Sequence, residues 1–194
     1  MQGDFRTTLT NANFWSLEAR DRFDDTLTGT DGGQETLSGE LGRDTLNGAG
    51  GDDRIDGGRD GDTLTGGSGG DIFFFAGVMD SYRVDTTDVR GRDVITDFNA
   101  ADGDLVDLSI LGFTGLGDGH HGTLKLSVNA AGNQTALKSL DNDAEGRGFE
   151  VLFKGDVRDD LSQGGVIFAT NDTSTVIEHQ IDLVGAPPAT ADVV

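Results

Sequence analysis

The chain contains no cysteine and only two prolines among its 194 residues. Without cysteine there is no disulfide, so cross-links in the fold have to come from packing or from bound metal. No apolar run approaches the roughly 18 residues that a membrane-spanning helix needs. Basic residues are scarce as well, because 14 Lys and Arg stand against 35 Asp and Glu and give a net charge of −21. A chain this acidic repels nucleic acid and anionic membranes, so we exclude both as partners.

Glycine, by contrast, is abundant, with 31 residues. Four blocks of nine residues follow one another from position 39 to 74, and they read GELGRDTLN, GAGGDDRID, GGRDGDTLT and GGSGGDIFF. Each block combines a glycine-rich turn, an aspartate and a short strand with one large apolar residue. This pattern, G-G-x-G-x-D-x-U-x, is typical of a calcium-binding parallel β-roll. A disordered acidic linker is the alternative, but a linker has no reason to keep apolar residues in register.

The spacing of nine predicts how the blocks stack. Six residues form a turn and three form a strand, so two blocks complete one coil and alternate blocks lie on the same edge. Coils about 4.8 Å apart place Asp44 above Asp62 and Asp53 above Asp71. Two such charges repel by about 3–4 kcal/mol at an effective dielectric near 20. Calcium, which accepts six to eight oxygens from carboxylates and carbonyls, removes that repulsion.

Two degenerate layers precede the regular blocks, with Glu35 and Asp25 at the aspartate position. Including them, one edge carries Asp25, Asp44 and Asp62, and the other carries Glu35, Asp53 and Asp71. Each neighbouring pair offers one site, so we expect about four calcium ions in the roll. The predicted ligands are these six acids together with the turn glycines Gly39, Gly42, Gly48, Gly51, Gly57, Gly66 and Gly69.

The whole chain is predicted to be all-β, a right-handed parallel β-roll with a β-rich C-terminal cap. We assign residues 1–19 to an N-terminal cap or linker, 20–74 to the roll, 75–170 to the β-rich continuation and 171–194 to a flexible tail. Residues 11–23 fit a short helix or a linker equally well. In the continuation, strands are predicted at residues 93–98, 104–111, 122–128, 135–140, 149–153 and 165–169.

Further acids near the cap raise the question of additional metal sites. Asp93, Asp97, Asp102 and Asp104 are candidates for one more ion, against the alternative of solvated turn residues. The segment 141–152 opens like an EF-hand loop, but its twelfth position is Leu152 instead of a bidentate glutamate. We therefore reject an EF-hand.

The nonapeptide blocks resemble the RTX family of secreted proteins, and residues 93–98 (DVITDF) and 104–109 (DLVDLS) are similar to the segment that follows the repeats in that family. Between positions 29 and 169 a narrower resemblance appears, to the R-modules of secreted mannuronan epimerases. It is carried by residues 80–83 (DSYR), 111–119 (LGFTGLGDG), 122–124 (GTL), 137–139 (LKS), 143–147 (DAEGR) and 149–151 (FEV).

The resemblance implies a non-catalytic, calcium-binding module of an extracellular enzyme, with a catalytic module upstream in the same chain and alginate as a further ligand. The alternatives are the C-terminal domain of another RTX enzyme, such as a serralysin-type protease, and an RTX adhesin or matrix module. We expect a monomer. The missing N-terminal signal peptide and the acidic tail ending in Asp192, Val193 and Val194 resemble proteins exported by type I secretion.

We find no catalytic constellation in the sequence. It has neither an H-E-x-x-H helix nor a G-x-S-x-G elbow. His120 and His121 are adjacent and should point apart in an extended chain, so a loop role is expected for both, and His179 lies in the polar tail. A structural role is also expected for Tyr82. For alginate contacts we select four basic residues: Arg54, Arg83, Lys138 and Arg147.

Overall fold

The nonapeptide blocks form two facing, largely parallel sheets. The computed structural model describes residues 8–10, 16–18, 22–84 and 91–170, the first two ranges as backbone only. Across the first sheet the strands run in the order Thr8–Thr10 (β1), Thr26–Thr28 (β3), Thr45–Gly50 (β5), Thr63–Ser68 (β7), Val94–Ile95 (β10), Gly148–Lys154 (β15), Gln134–Lys138 (β14), Thr123–Val128 (β13) and Gly115–Leu116 (β12). Across the second they run Val166–Ile167 (β16), Leu105–Asp107 (β11), Ile72–Phe74 (β8), Arg54–Asp56 (β6), Thr36–Ser38 (β4) and Ser16–Glu18 (β2). Tyr82–Arg83 (β9) pairs with β15, and Arg158–Ser162 forms the helix α1.

The core of the roll is a stack of apolar residues, one from the centre of each strand. Leu46 pairs in register with Leu64 in the first sheet, and Ile55 pairs with Phe73 in the second. All four side chains are fully buried. Each buried side chain of this size contributes about 1.5–3 kcal/mol, so the stack fixes both the register and the inward face of every strand. The predicted all-β fold, a parallel roll followed by a β-rich continuation, is confirmed.

The two sheets begin before residue 20. Thr8–Thr10 pairs in parallel with β3, and Ser16–Glu18 pairs in parallel with β4. The helix considered for residues 11–23 is therefore wrong at 16–18, where the Ser-Leu-Glu segment continues the second sheet by one layer. Residues 11–15 and 19–21 lie outside the described residues, and so does the predicted tail, 171–194.

After the last nonapeptide block the first sheet changes from parallel to antiparallel pairing. Strand β10 adds in parallel to β7 and to β15, and β15, β14 and β13 then pair antiparallel. Aromatic residues fill the junction: Phe75 meets Phe149 edge-on at 5.6 Å between ring centroids, and Phe98 meets Phe153 at 5.4 Å. The continuation thus caps the open end of the roll. The sequence predicts such a cap, because the run IFFF at residues 72–75 is apolar at consecutive positions and a strand apolar on both faces is expected to be covered on both faces.

The outward side of that apolar run is covered less completely than we expected. Phe73 and Phe75 are fully buried, but Ile72 and Phe74 remain half-buried. The reason is that the Arg54 guanidinium, 3.7 Å from the Phe74 ring centroid, covers this face instead of another layer of structure.

All six strands predicted in the continuation are present, although several are shorter. Strands β9 and β12 and the helix α1 have no counterpart among the sequence predictions. No helix in the described part of the chain is long and apolar enough to cross a membrane.

Candidate functional site

Four aspartates stack in register along one edge of the roll, and we call them the first ladder: Asp25, Asp44, Asp62 and Asp93. Each of the last three accepts, through Oδ1, the backbone N–H of the acid one layer earlier. The N···O distances are 2.7 Å from Asp25 to Asp44, 2.7 Å from Asp44 to Asp62 and 3.0 Å from Asp62 to Asp93. The ladder therefore continues one layer past the nonapeptide blocks.

The opposite edge repeats this arrangement in a second ladder: Glu35, Asp53, Asp71 and Asp104. Asp53 accepts the N–H of Glu35 at 2.7 Å, Asp71 that of Asp53 at 2.9 Å, and Asp104 that of Asp71 at 3.0 Å. The structure thus places the six acids predicted from the sequence on the two predicted edges. It also adds a fourth acid to each ladder, Asp93 to the first and Asp104 to the second. We call each acid of a ladder a rung.

In both ladders, most of the acids have a second carboxylate oxygen that takes no part in the N–H bonds between layers. The second oxygen of Glu35, Asp53, Asp62, Asp71 and Asp93 is buried, and no hydrogen bond reaches it from any residue that the structure describes. These side chains are at most 7% exposed. A buried carboxylate that lacks a partner is costly unless it binds a proton or a cation. The leftover oxygens therefore mark positions that require positive charge.

The pKa values of the ladder acids also indicate that these positions need positive charge. Burial, partly offset by the N–H bond from the preceding layer, raises the pKa of Asp62 to about 9, that of Asp53 to about 7 and that of Asp71 to about 6. Burial, reinforced by the charge of Asp62, also raises the pKa of Asp93 well above its usual range. Without a cation, several rungs would hold protons at neutral pH.

Glycines keep the space around these oxygens open. A Cβ on Gly48 would lie 2.3 Å from Asp53 Oδ2 and 2.6 Å from the carbonyl oxygen of Gly66. A Cβ on Gly39 would lie 2.4 Å from Asp44 Oδ2 and 2.4 Å from the carbonyl oxygen of Gly57. Carboxylate and carbonyl oxygens thus converge from two adjacent layers. Such a set of oxygens is what calcium prefers, at about 2.3–2.6 Å.

The other predicted glycines serve the turn itself. Gly42, Gly51 and Gly69 have φ angles of 140°, 112° and 119°. A Cβ on Gly51 would lie 1.5 Å from the carbonyl oxygen of Gly33 in the layer before. These positions require glycine for backbone conformation and for close stacking of the turns.

The structure does not bring the four cap acids together at one ion. Asp93 belongs to the first ladder and Asp104 to the second. Asp97 instead accepts the N–H groups of Gly66 and Gly67 at 3.0 and 2.9 Å, and the exposed Asp102 accepts the side-chain N–H of Asn99. Within the described ranges, no group of three or more His, Asp or Glu side chains could hold a metal by itself. A calcium ion in a ladder would therefore need backbone carbonyls as further ligands.

Comparison with known proteins identifies this arrangement. Residues 30–64 and 51–77 match the RTX calcium-binding nonapeptide repeat. Over 106 residues the chain is 52% identical to mannuronan C5-epimerase AlgE4 of Azotobacter vinelandii, covering 55% of this chain and 19% of that enzyme. The solved AlgE6R2 subunit of the mannuronan C5-epimerase from the same organism matches with a TM-score of 0.66 and 44% identity, over 80% of this chain and 93% of that subunit. The chain belongs to the R-modules of the mannuronan C5-epimerases.

The chain is also similar to part of another enzyme. Alginate lyase 7 of Azotobacter vinelandii is 48% identical to this module over 96 residues, which cover 50% of the chain and 11% of the lyase. The matched part is thus a fifth or less of each of these two curated relatives.

The four basic residues selected from the sequence do not form one stripe on the module. Arg54 lies on the outward face of the second sheet, 3.9 Å from Asp107. Arg83 is mostly buried, 3.5 Å from Glu150, and donates to the Ser139 carbonyl oxygen at 2.7 Å. Arg147 is paired with Asp143 and Glu145 at 2.8 and 2.7 Å. Sequence spacing could not show the pairing of Arg54 and Arg83, because their partners come from distant strands, whereas Arg147 is held by two acids of its own turn.

Lys138 lies on a different surface, the outward face of the first sheet. It is paired across the strands with Lys125 on one side and Glu150 on the other. Glu150 is the one acid among the outward positions of this sheet in the described strands, and it is buried between Arg83 and Arg92. The remaining outward positions are mostly hydroxyl, amide or basic: Thr26, Thr28, Thr45, Asn47, Thr63, Thr65, Ser127, Gln134 and Lys154.

Proposed function

We propose that this module is a calcium-stabilised, non-catalytic accessory part of an extracellular mannuronan C5-epimerase. The observation that carries the proposal is the pair of carboxylate ladders with their leftover buried oxygens, on a chain that belongs to the R-modules. Catalysis would then reside in a separate module of the parent enzyme.

The calcium positions follow from the ladders. Each step between two rungs offers one or two carboxylates and the carbonyl oxygens of the adjoining turns, and there are three steps on each edge, six in all. This exceeds the four ions expected from the sequence, because Asp93 and Asp104 each add a step. Bound calcium supplies the positive charge that the stacked carboxylates lack.

Calcium dependence also gives the module a role in export. The chain has a net charge of −21, and its ladder carboxylates are buried in the folded state. Without calcium, repulsion among these acids opposes folding. In a cytoplasm that is poor in calcium it would pass the type I secretion machinery unfolded, and outside the cell it would fold on binding calcium.

For alginate we propose the outward face of the first sheet as the contact surface. On this face, threonine hydroxyls lie one layer apart on β3, β5 and β7, and Lys154, Lys138 and Lys125 follow on β15, β14 and β13, beyond β10. Hydroxyl and ammonium groups suit a chain of sugar rings that carries carboxylates. Arg83 and Arg147 contribute less than we expected from the sequence, because acids of the module already hold them.

The resemblance to alginate lyase 7 supports a second candidate parent. A lyase and an epimerase are named for different reactions, so the same type of module in both favours a role in holding the polymer or in folding over a role in the chemical step.

An NMR titration with short oligomannuronate at saturating calcium tests the proposal. We expect shifts in β5, β7, β13 and β14, and a loss of affinity in a Lys125→Gln/Lys138→Gln variant. Arg158→Gln is the control, because Arg158 is exposed, is paired with Asp156 and belongs to α1 instead of a strand of this face. No shifts, or shifts confined to the Arg54 face, would contradict the proposed surface.

A further inference from the structure

His120 and His121 lie in an exposed loop that hydrogen bonds hold in place. They follow β12, and the chain is not extended there, because His121 has a φ of 55°. The loop is braced by three backbone bonds: His120 N–H to Asp118 Oδ1 at 3.0 Å, Thr123 N–H to the His120 carbonyl at 3.1 Å and Leu140 N–H to the Gly119 carbonyl at 2.6 Å. The left-handed turn brings the two imidazole rings to 6.2 Å between centroids. The expectation that they point apart is thereby corrected.

One carboxylate holds both histidines. Asp141 Oδ1 lies 2.7 Å from Nδ1 of His120, and its Oδ2 accepts the backbone N–H of His121 at 2.6 Å. A carboxylate oxygen accepts hydrogen bonds, so Nδ1 of His120 is assigned as the donor, and Nε2 on the other side of the ring is the nitrogen available to a metal ion. The same carboxylate–histidine bond orients histidine ligands in metal sites.

From this geometry we propose that His120 and His121 form a site for a divalent transition-metal ion such as Zn²⁺, with Asp141 as the orienting carboxylate. Two imidazole nitrogens bind the ion and water fills the other positions. The site is separate from the calcium ladders and goes beyond the proposed function of the module.

The ring separation fits such an ion. Because a zinc–nitrogen bond is about 2.0–2.1 Å and a ring nitrogen lies roughly 1.1 Å from its ring centre, one ion can join imidazole centres up to about 6.4 Å apart. A tetrahedral angle needs about 5.2 Å, which a rotation of the exposed His121 side chain supplies. The neighbouring carboxylates of Asp118 and Asp141 add a favourable potential for a cation.

Ligand chemistry separates this site from the ladders. Imidazole nitrogen suits zinc, copper and nickel, whereas calcium and magnesium prefer oxygen. Calcium that saturates the ladders should therefore leave the histidine pair available. The site is open to ions from solution, because the His120 side chain is 43% exposed and the Asp141 side chain is 52% exposed.

The test follows imidazole ¹⁵N resonances of the calcium-saturated chain during stepwise addition of zinc chloride, with magnesium chloride as the ionic control. We expect saturable zinc-dependent shifts at His120 and His121, and none at His179, the third histidine of the chain. Asp141→Asn should weaken zinc binding by about 10–100-fold, the usual effect of removing the carboxylate behind a histidine ligand. His120→Gln and His121→Gln should each remove the saturable shift, and His179→Gln should leave it unchanged.

Equal shifts at all three histidines, or undiminished zinc affinity in Asp141→Asn, would overturn the proposal. Backbone amide spectra of β5 and β7 show in each variant whether the roll is intact, so loss of the fold is not mistaken for loss of the site. The outcome depends neither on alginate binding nor on the number of calcium ions that the ladders hold.

Discussion

At the scale of single residues, Asp62 shows how one carboxylate has two separate tasks. Its Oδ1 accepts the Asp44 N–H, while its Oδ2 is buried without a hydrogen bond from the described residues. Asp62→Asn keeps an acceptor for the N–H but removes the charge. We expect the calcium concentration at half-folding to rise about tenfold or more, equivalent to at least about 1.4 kcal/mol. Metal-free stability should increase, because folding no longer has to protonate a carboxylate that is ionised in the unfolded chain.

Circular dichroism during calcium titration checks both effects of Asp62→Asn. Asp60→Asn is the matched control, since Asp60 is an exposed turn residue with a φ of 81° that asparagine also tolerates. Equal calcium requirement in the two variants would show that Asp62 is not a ligand.

A second residue-scale prediction concerns the glycines that keep the calcium positions open. The Cβ of Gly48→Ala would occupy the space between Asp53 Oδ2 and the Gly66 carbonyl, so we expect a loss of about 1–3 kcal/mol in the calcium-bound state. Gly77→Ala serves as the control, because its nearest neighbours would be 3.8 Å away, an ordinary contact. Urea unfolding at saturating calcium measures both, and equal stabilities would contradict the assignment.

At the scale of elements, β9 is attached to β15 by buried charges. Glu150 on β15 lies 3.5 Å from Arg83 and 3.3 Å from Arg92. Glu150→Gln removes the carboxylate that both guanidinium groups share, and we expect a loss of about 3–5 kcal/mol, typical when one partner of a buried ion pair is deleted.

The comparison variant for Glu150→Gln is Asp143→Asn, which breaks a partly exposed pair with Arg147. It should cost clearly less, because solvent screens the attraction between partly exposed charges. Thermal unfolding of the two variants tests the difference, and similar losses would mean that burial does not govern the strength of these pairs.

Sequence alone predicts the elements that the repeat dictates. Successive rungs within the nonapeptide blocks are 18 residues apart, as between Asp44 and Asp62 or Asp53 and Asp71. The last rungs are separated by 31 residues from Asp62 to Asp93 and by 33 from Asp71 to Asp104. Longer turns interrupt the period there, so spacing identifies these two acids only as candidates near the cap. It does not assign them to separate ladders.

Other elements carry no periodic signal at all. Strands β9 and β12 have two residues each, too few for an alternating pattern. Their positions depend on pairing with distant strands, Gly148–Lys154 for β9 and Thr123–Val128 for β12. The same holds for Arg54 and Arg83, whose partners lie on distant strands, and for the left-handed backbone at His121.

At the scale of the whole molecule, the ladders make stability depend on pH in opposite directions with and without calcium. The raised pKa values of Asp71, Asp53 and Asp62, about 6, 7 and 9, exceed the ordinary value of 3.8. The metal-free native state therefore binds more protons than the unfolded chain between these limits. Its stability should be fullest below about pH 4 and be lost as the pH rises through about 6–9.

With calcium the direction reverses, because protons compete with the ion for the same carboxylates. Urea unfolding of resin-stripped chain at pH 5 and pH 8, with and without calcium, tests the pair of trends. A metal-free chain that is more stable at pH 8 than at pH 5 would contradict the account of the buried rungs.

Equilibrium dialysis against radioactive calcium, with circular dichroism on the same samples, tests the central claim about the whole module most directly. The account predicts saturable binding of about six ions, one for each step of the two ladders, and a rise in β content as they bind. Four ions would confine the calcium positions to the nonapeptide layers and exclude Asp93 and Asp104 as ligands. Two ions or fewer, or binding that leaves the β content unchanged, would contradict the claim that the stacked carboxylates hold this fold together through calcium.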